Sequence, residues 1–157
     1  VPIFIELNQS LLKGGQRLPQ REVVRTTRAV ARALRLRHAV SVSAAFVSAK
    51  EMRRLNAAYR GKDCVTDVLS FGVERGTWNV ERGMSEGIFL GEILISYAQA
   101  RRQAAELRHS TRAETLFLLV HGLLHLFGFD HERPSDAKPM FALQTRILAS
   151  LAIDPRL

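Results

Sequence analysis

Residues 40–48 (VSVSAAFVS) alternate between apolar and polar, the two-residue period of a strand with one buried face. Residues 88–96 (IFLGEILIS) are almost continuously apolar and predict a second, strong strand. Shorter segments at 2–7 (PIFIEL) and 66–71 (TDVLSF) predict two more. Elsewhere the period lengthens. Val23, Val24, Thr27, Val30, Ala31 and Leu34 recur at helical spacing and predict a helix from Pro19 or Gln20 to about Leu36. Further helices are expected over 49–59, with Met52, Leu55 and Tyr59 facing inward, and over 97–107. An apolar helix should open at Thr111 and reach Leu126 or Phe127, and a last one should cover 135–151. Thr111-Arg112-Ala113-Glu114 has the form of a capping box. Gly14-Gly15 and Pro19 place a loop at 10–19, and Arg60-Gly61-Lys62-Asp63 reads as a turn. Residues 72–87 carry Gly72, Gly76, Gly83 and Gly87 among several charges. A connection that long is uncommon in a compact domain, so it is expected to be mobile or functional. Strands and helices are mixed rather than strictly alternating, which predicts an α+β fold in one domain, 1–157.

Composition narrows this picture. A chain of 157 residues with 46% hydrophobic content can bury a core without covalent staples. The single cysteine, Cys64, excludes an intrachain disulfide, fits a reducing compartment, and reads as a small buried or half-buried residue. No apolar run approaches the ~20 residues of a membrane span. The first residues lack the basic start and apolar stretch of a signal peptide. The expectation is a soluble cytoplasmic protein with no membrane partner.

Charge changes the picture more. The formal net charge is +8, and 19 of the 23 basic residues are arginine. A basic domain of this size often meets nucleic acid, and arginine forks suit phosphate better than lysine point charges. Arg21, Arg25, Arg28, Arg32 and Arg35 fall on one stripe of the first helix, opposite its apolar face. That stripe is either an ordinary solvated face or a contact surface for an RNA backbone.

The chemically informative stretch is His121-Gly122-Leu123-Leu124-His125-Leu126-Phe127-Gly128-Phe129-Asp130-His131, which holds three of the five histidines. His121 and His125 lie one helical turn apart, so both rings leave the same face and can share one metal ion. The surrounding helix is strongly apolar, and buried imidazoles need partners. Gly128 can take the left-handed conformation that ends a helix, which lets His131 fold back toward the other two. Three nitrogen ligands with an open fourth position are the arrangement of a catalytic zinc site. Asp130 is expected to orient a ligand ring. His38 and His109 sit among polar residues and arginines and read as surface residues.

The histidine segment resembles the H-G-x-L-H-L-x-G-[FY]-D-H signature of the YbeY family, bacterial metal-dependent endoribonucleases of ribosomal RNA maturation. Leu55-Asn56-Ala57-Ala58-Tyr59-Arg60 followed by Thr66-Asp67-Val68-Leu69-Ser70-Phe71 is similar to that family's LN-x-x-YR and T-[DN]-VLSF segments. Leu90-Gly91-Glu92-Ile93 with Ile95-Ser96 resembles its LG-[DE]-I-x-IS strand. The departures are small: Val65 and Gly72 stand where the family commonly has proline. The resemblance implies a small mixed sheet of about four strands flanked by about five helices, with the metal in a cleft. It implies one zinc ion per chain on His121, His125 and His131, with Arg60 and His121 catalytic. It implies Arg60 as a substrate contact and Ser70 as either a substrate contact or a hydrogen-bonding group across the sheet, while Asp67 is as readily a cap as a site residue. The implied partners are RNA, ribosomal subunits and ribosome-associated proteins, and the implied activity is single-strand-specific cleavage in 16S rRNA 3′-end maturation and ribosome quality control.

Two other functions compete. The same spacing fits the skeleton of zinc peptidases of the metzincin type, which carry a glutamate after the first histidine as general base. Gly122 occupies that position here, and the charge of +8 also argues against a peptidase. A non-enzymatic ribosome-binding factor with a structural metal is the third reading, and the open coordination position argues against it.

Overall fold

The computed structural model describes residues 3–73 and 88–153. Four strands form one sheet in the order β1 (Ile3–Asn8), β2 (Val40–Val47), β4 (Ile88–Ser96), β3 (Val68–Gly72). The first three run parallel, and β3 joins the edge antiparallel to β4. Among the described residues five α-helices accompany the sheet: α1 (Gln20–Leu34), α2 (Ala49–Arg60), α3 (Tyr97–Leu107), α4 (Thr111–Leu126) and α5 (Pro134–Ser150). This is the mixed α+β architecture expected from the pattern. The long segment expected after Gly72 falls largely at 74–87, outside the described residues.

The alternation in β2 divides the molecule into two layers. Val40, Val42, Ala44 and Phe46 face the main core, which they share with residues of β4, α1, α4 and α5. The opposite face contributes to a smaller cluster around Met52 of α2, with Leu69 and Leu94. Helix α4 lies deepest and is buried from Glu114 to Val120 and again at Gly122, Leu123 and Leu124. Leu118, Leu119, Leu123 and Leu124 have almost no solvent exposure, and truncating one such side chain to alanine costs about 2–5 kcal/mol. The helix carrying two of the histidines is thus fixed by packing on several sides.

Three local details differ from the sequence pattern, each for a physical reason. Helix α1 stops at Leu34 rather than Leu36, because Arg35 adopts a left-handed backbone (φ 50°) and its N–H closes back on Ala31 and Arg32. Strand β3 begins at Val68 rather than Thr66, because Asp67 Oδ1 accepts the Val68 N–H at 2.8 Å. In α4 the N-cap is Ser110, whose hydroxyl accepts the Ala113 N–H at 3.0 Å, so the capping box expected at Thr111 is displaced. Glu114, expected in that box, is fully buried and meets His109 Nε2 at 3.0 Å. His109 is therefore a half-buried partner of Glu114 and not a surface residue, whereas His38 is exposed as expected.

Helix α2 is rotated relative to expectation. Met52 is buried and Leu55 half-buried, but Tyr59 is 66% exposed. The inward position one turn beyond Met52 is taken by Asn56, whose amide donates to the Cys64 carbonyl at 2.9 Å and ties down the turn after the helix. Cys64 itself is exposed, which corrects its reading as a buried residue.

Candidate metal centre

The C-terminal end of α4, the turn after it, and the middle of α5 enclose one side of a cleft of about 1090 Å³. The end of α2 and the residues leading into and along β3 enclose the other. Gly128 takes φ 98°, its N–H bonds the His125 carbonyl at 3.0 Å, and the Phe129 N–H bonds that of Leu124 at 3.0 Å. This closed turn ends α4 and reverses the chain as the sequence predicts. It returns His131 to the first two histidines. Asp130 fixes the following backbone: its Oδ1 accepts the His131 N–H at 2.7 Å and the Glu132 N–H at 3.4 Å. The His131 N–H holds the Asp130 carboxyl below the usual range. Asp130 thus positions His131 through the main chain, which corrects the expectation that it orients a ring.

Ring orientation falls instead to α5. Gln144, only 1% exposed, places Oε1 2.8 Å from His121 Nδ1. An amide oxygen can only accept, so Nδ1 carries the proton and Nε2 presents its lone pair. His121 Nε2 then faces His125 Nε2 at 3.1 Å. His131 completes the group, with one ligand atom from each residue and all within 4.8 Å of one another. Two aromatic rings brace the outside: Phe117 stacks on His121 at 6.4 Å between centroids, and Phe141 on His131 at 5.8 Å.

The donor set fits a metal. Two nitrogens bound to one zinc at ~2.0–2.1 Å in tetrahedral geometry lie ~3.3 Å apart, close to the observed separation. Burial lowers the pKa of His121 and of His125 from 6.5, and the neighbouring imidazoles add to the depression. Both effects favour the neutral rings that a metal needs. Among the described residues no further histidine, cysteine, aspartate or glutamate joins the group, which leaves its cleft side without a fourth protein ligand.

Across the cleft, Arg60 ends α2 and reaches over the edge strand. Its Nη2 donates to the Ser70 carbonyl at 2.8 Å, and its guanidinium lies 5.5 Å from the Phe71 ring centroid. Arg60 lines the same cleft as the three histidines. The Ser70 hydroxyl donates to the Gly122 carbonyl at 3.3 Å and joins β3 to α4. Asp67 also lines the cleft, but its carboxylate is engaged. Oδ1 caps β3 and Oδ2 accepts from Gln103 at 3.1 Å.

The structure also explains Gly122. A Cβ at this position would lie 2.8 Å from Ile93 Cγ2 and 3.2 Å from Ser70 Oγ. The helix meets the sheet there, so a glutamate would point into β3 and β4 instead of toward the three rings. Gln144, Phe117 and Phe141 were not legible as site residues. The one available signal was a glutamine on the buried stripe of Met140, Gln144, Ile147 and Leu148.

The fold and the site together define a small α+β protein with a three-histidine group in an open cleft that could hold a metal ion. The family model described as "Endoribonuclease YbeY" matches residues 6–152, and the chain belongs to the YbeY family. It is 43% identical over 130 residues to Endoribonuclease YbeY of Bacillus pumilus, covering 81% of this chain and 82% of that protein. It is 45% identical over 114 residues to that of Geobacillus thermodenitrificans (71% and 73% covered) and 42% identical over 118 residues to that of Rhizobium meliloti (74% and 68% covered). The solution structure of TM1509 from Thermotoga maritima matches with a TM-score of 0.59 and 27% identity, covering 96% of this chain and 91% of that one.

Proposed function

We propose that this protein is a zinc-dependent, single-strand-specific endoribonuclease acting in ribosomal RNA processing, with 16S rRNA 3′-end maturation and ribosome quality control as its setting and the cytoplasm as its location. The observation that carries this reading is the convergence of three imidazole nitrogens on one side of a cleft whose other side holds Arg60. His121, His125 and His131 would hold one zinc ion, which all-nitrogen ligation favours. A zinc ion bound there supplies Lewis acidity toward a phosphoryl oxygen and acidifies water.

The chain's own residues then have separable tasks. Gln144 keeps the His121 proton on Nδ1 and the ring in place. Arg60 spends one N–H on Ser70 and keeps the rest of its fork for phosphate oxygens, where charge grows as the phosphodiester is cleaved. Ser70 holds the edge strand against α4, so the arginine and histidine sides stay in register. The cleft admits a nucleotide splayed away from its neighbours, and duplex stacking opposes this, which supports single-strand selectivity. The peptidase reading is disfavoured by Gly122, since the sheet occupies the space a general-base glutamate would need.

The test uses unstructured and duplex RNA, with and without chelator, and bound metal measured in parallel. His125→Ala should abolish cleavage and lose the metal. Arg60→Glu should keep the metal and cleave roughly 100-fold more slowly. Cleavage by the Arg60 variant at the parent rate would remove that residue from the reaction, and zinc-dependent cleavage of peptides would revive the peptidase.

A further inference from the structure

A second groove, of about 470 Å³, runs between α1 and the C-terminal end of α5. Arg21, Arg25, Arg28 and Arg32 line it, with Val24 and Leu151 among its apolar contacts. All four arginines are exposed. Among the described residues the carboxylate within ion-pair distance of any of them is that of Glu22, 3.7 Å from Arg25. Steps of four, three and four residues place the four guanidinium stems at intervals of ~6, ~4.5 and ~6 Å along the helix axis. The result is a row of largely uncompensated planar forks along one wall of a groove.

We propose that this groove is a docking track for the phosphodiester backbone of single-stranded RNA, separate from the metal cleft. The inference rests on the ribonuclease reading above and adds where the substrate is held beyond the point of cleavage. Charge and chemistry both select this occupant. A nucleic acid strand carries one negative charge per nucleotide at regular intervals, which suits a regular row of arginines better than the scattered carboxylates of an acidic protein surface. The groove offers fork donors and apolar contact with little that could read base edges, so it binds without sequence preference.

Its placement fits an extended substrate. Helix α5 serves both sites: Phe141 and Gln144 line the cleft, while Ser150 and Leu151 line the groove. Gln144 and Ser150 are separated by ~9 Å along the helix axis. In this proposal one RNA strand engages both sites, which a fragment confined to the cleft cannot do.

The experiment compares the full-length parent with Arg25→Glu/Arg28→Glu and with the milder Arg25→Gln/Arg28→Gln. Binding to fluorescein-labelled oligouridylates of about 30 and about 6 nucleotides is measured by anisotropy across a salt series, with circular dichroism as the folding control. The glutamate variant should bind the long strand roughly tenfold more weakly and the glutamine variant less so. The slope of log affinity against log salt should flatten by about 1.4 for two lost phosphate contacts. The kcat on the short strand, which reports the metal cleft, should not change, and binding of the short strand should fall less than that of the long one. Unchanged affinity for the long strand, or equal losses for both lengths, would overturn the proposal. So would an equal loss of binding to a polyglutamate peptide. A parent that binds long RNA through these arginines yet cleaves no RNA would support the track and overturn the nuclease reading instead.

Discussion

The metal cleft and the arginine groove use the same helical geometry for opposite purposes. His121 and His125 are four residues apart on α4, as Arg21 and Arg25 are on α1. On α4 nearly every neighbour is buried, and the histidine rings are held by other protein groups. Gln144 bonds His121, His121 Nε2 lies 3.1 Å from His125 Nε2, and Asp130 fixes the main chain of His131. On α1 the charges stand in solvent with little to compensate them. Burial makes an unsatisfied polar atom expensive, so the cleft has one arrangement and a substitution there acts sharply. Solvent screens the groove, so its contributions are graded, salt-dependent and nearly independent of the fold.

The largest effect that would sharpen this contrast lies at Gln144. Gln144→Leu keeps the volume but leaves His121 Nδ1 without its acceptor. Metal affinity should fall about 10–100-fold, read by competition with a chromogenic chelator. Gln144→Glu should restore much of it, because a carboxylate also accepts from Nδ1. An unchanged affinity in Gln144→Leu would mean that the ring needs no support and that the two regions are not so different.

An intermediate effect concerns pH. Burial depresses the pKa of His121 and His125 below 6.5, so below that value the unfolded chain binds protons that the folded, metal-free chain does not. The stability of the metal-free protein should therefore rise with pH through the window just below 6.5 and level off above it. The slope per group cannot exceed about 1.4 kcal/mol per pH unit. Urea unfolding at a series of pH values should show this slope, and His121→Gln should flatten it. The smallest effect is at the groove. Arg25→Gln should change stability by no more than about 0.5 kcal/mol, because its ion pair with Glu22 is long and exposed. A large loss would show that the arginine face is part of the fold.

Much of this molecule was legible in its residues. The period-two pattern located β2, the apolar run bounded β4, and the histidine spacing with Gly128 located the metal group together with the turn that closes it. These signals are local: they concern residues within a turn or two of one another, and burial acts on each directly. Tyr59 was misplaced because its outward position is set by Asn56, which turns inward to bond Cys64 beyond the end of the helix. His109 was misplaced because its partner, Glu114, is drawn into the core on the buried face of α4, a pairing that the polar residues around His109 do not reveal. In each case a single hydrogen bond to a neighbouring segment outweighed the periodicity.

By itself the chain determined which residues would be helical, which imidazoles could share an ion, and that α1 would carry a charged stripe. These follow from spacing, hydropathy and backbone geometry, which act along the sequence. Only the tertiary structure decided that Gln144, 23 residues away, sets the proton position on His121. It also brought Arg60 across the edge strand to face the histidines, and made Gly122 the point where helix meets sheet. Such pairings join segments remote in sequence, and they arise because packing four strands against five helices leaves each buried polar atom few places to find a partner.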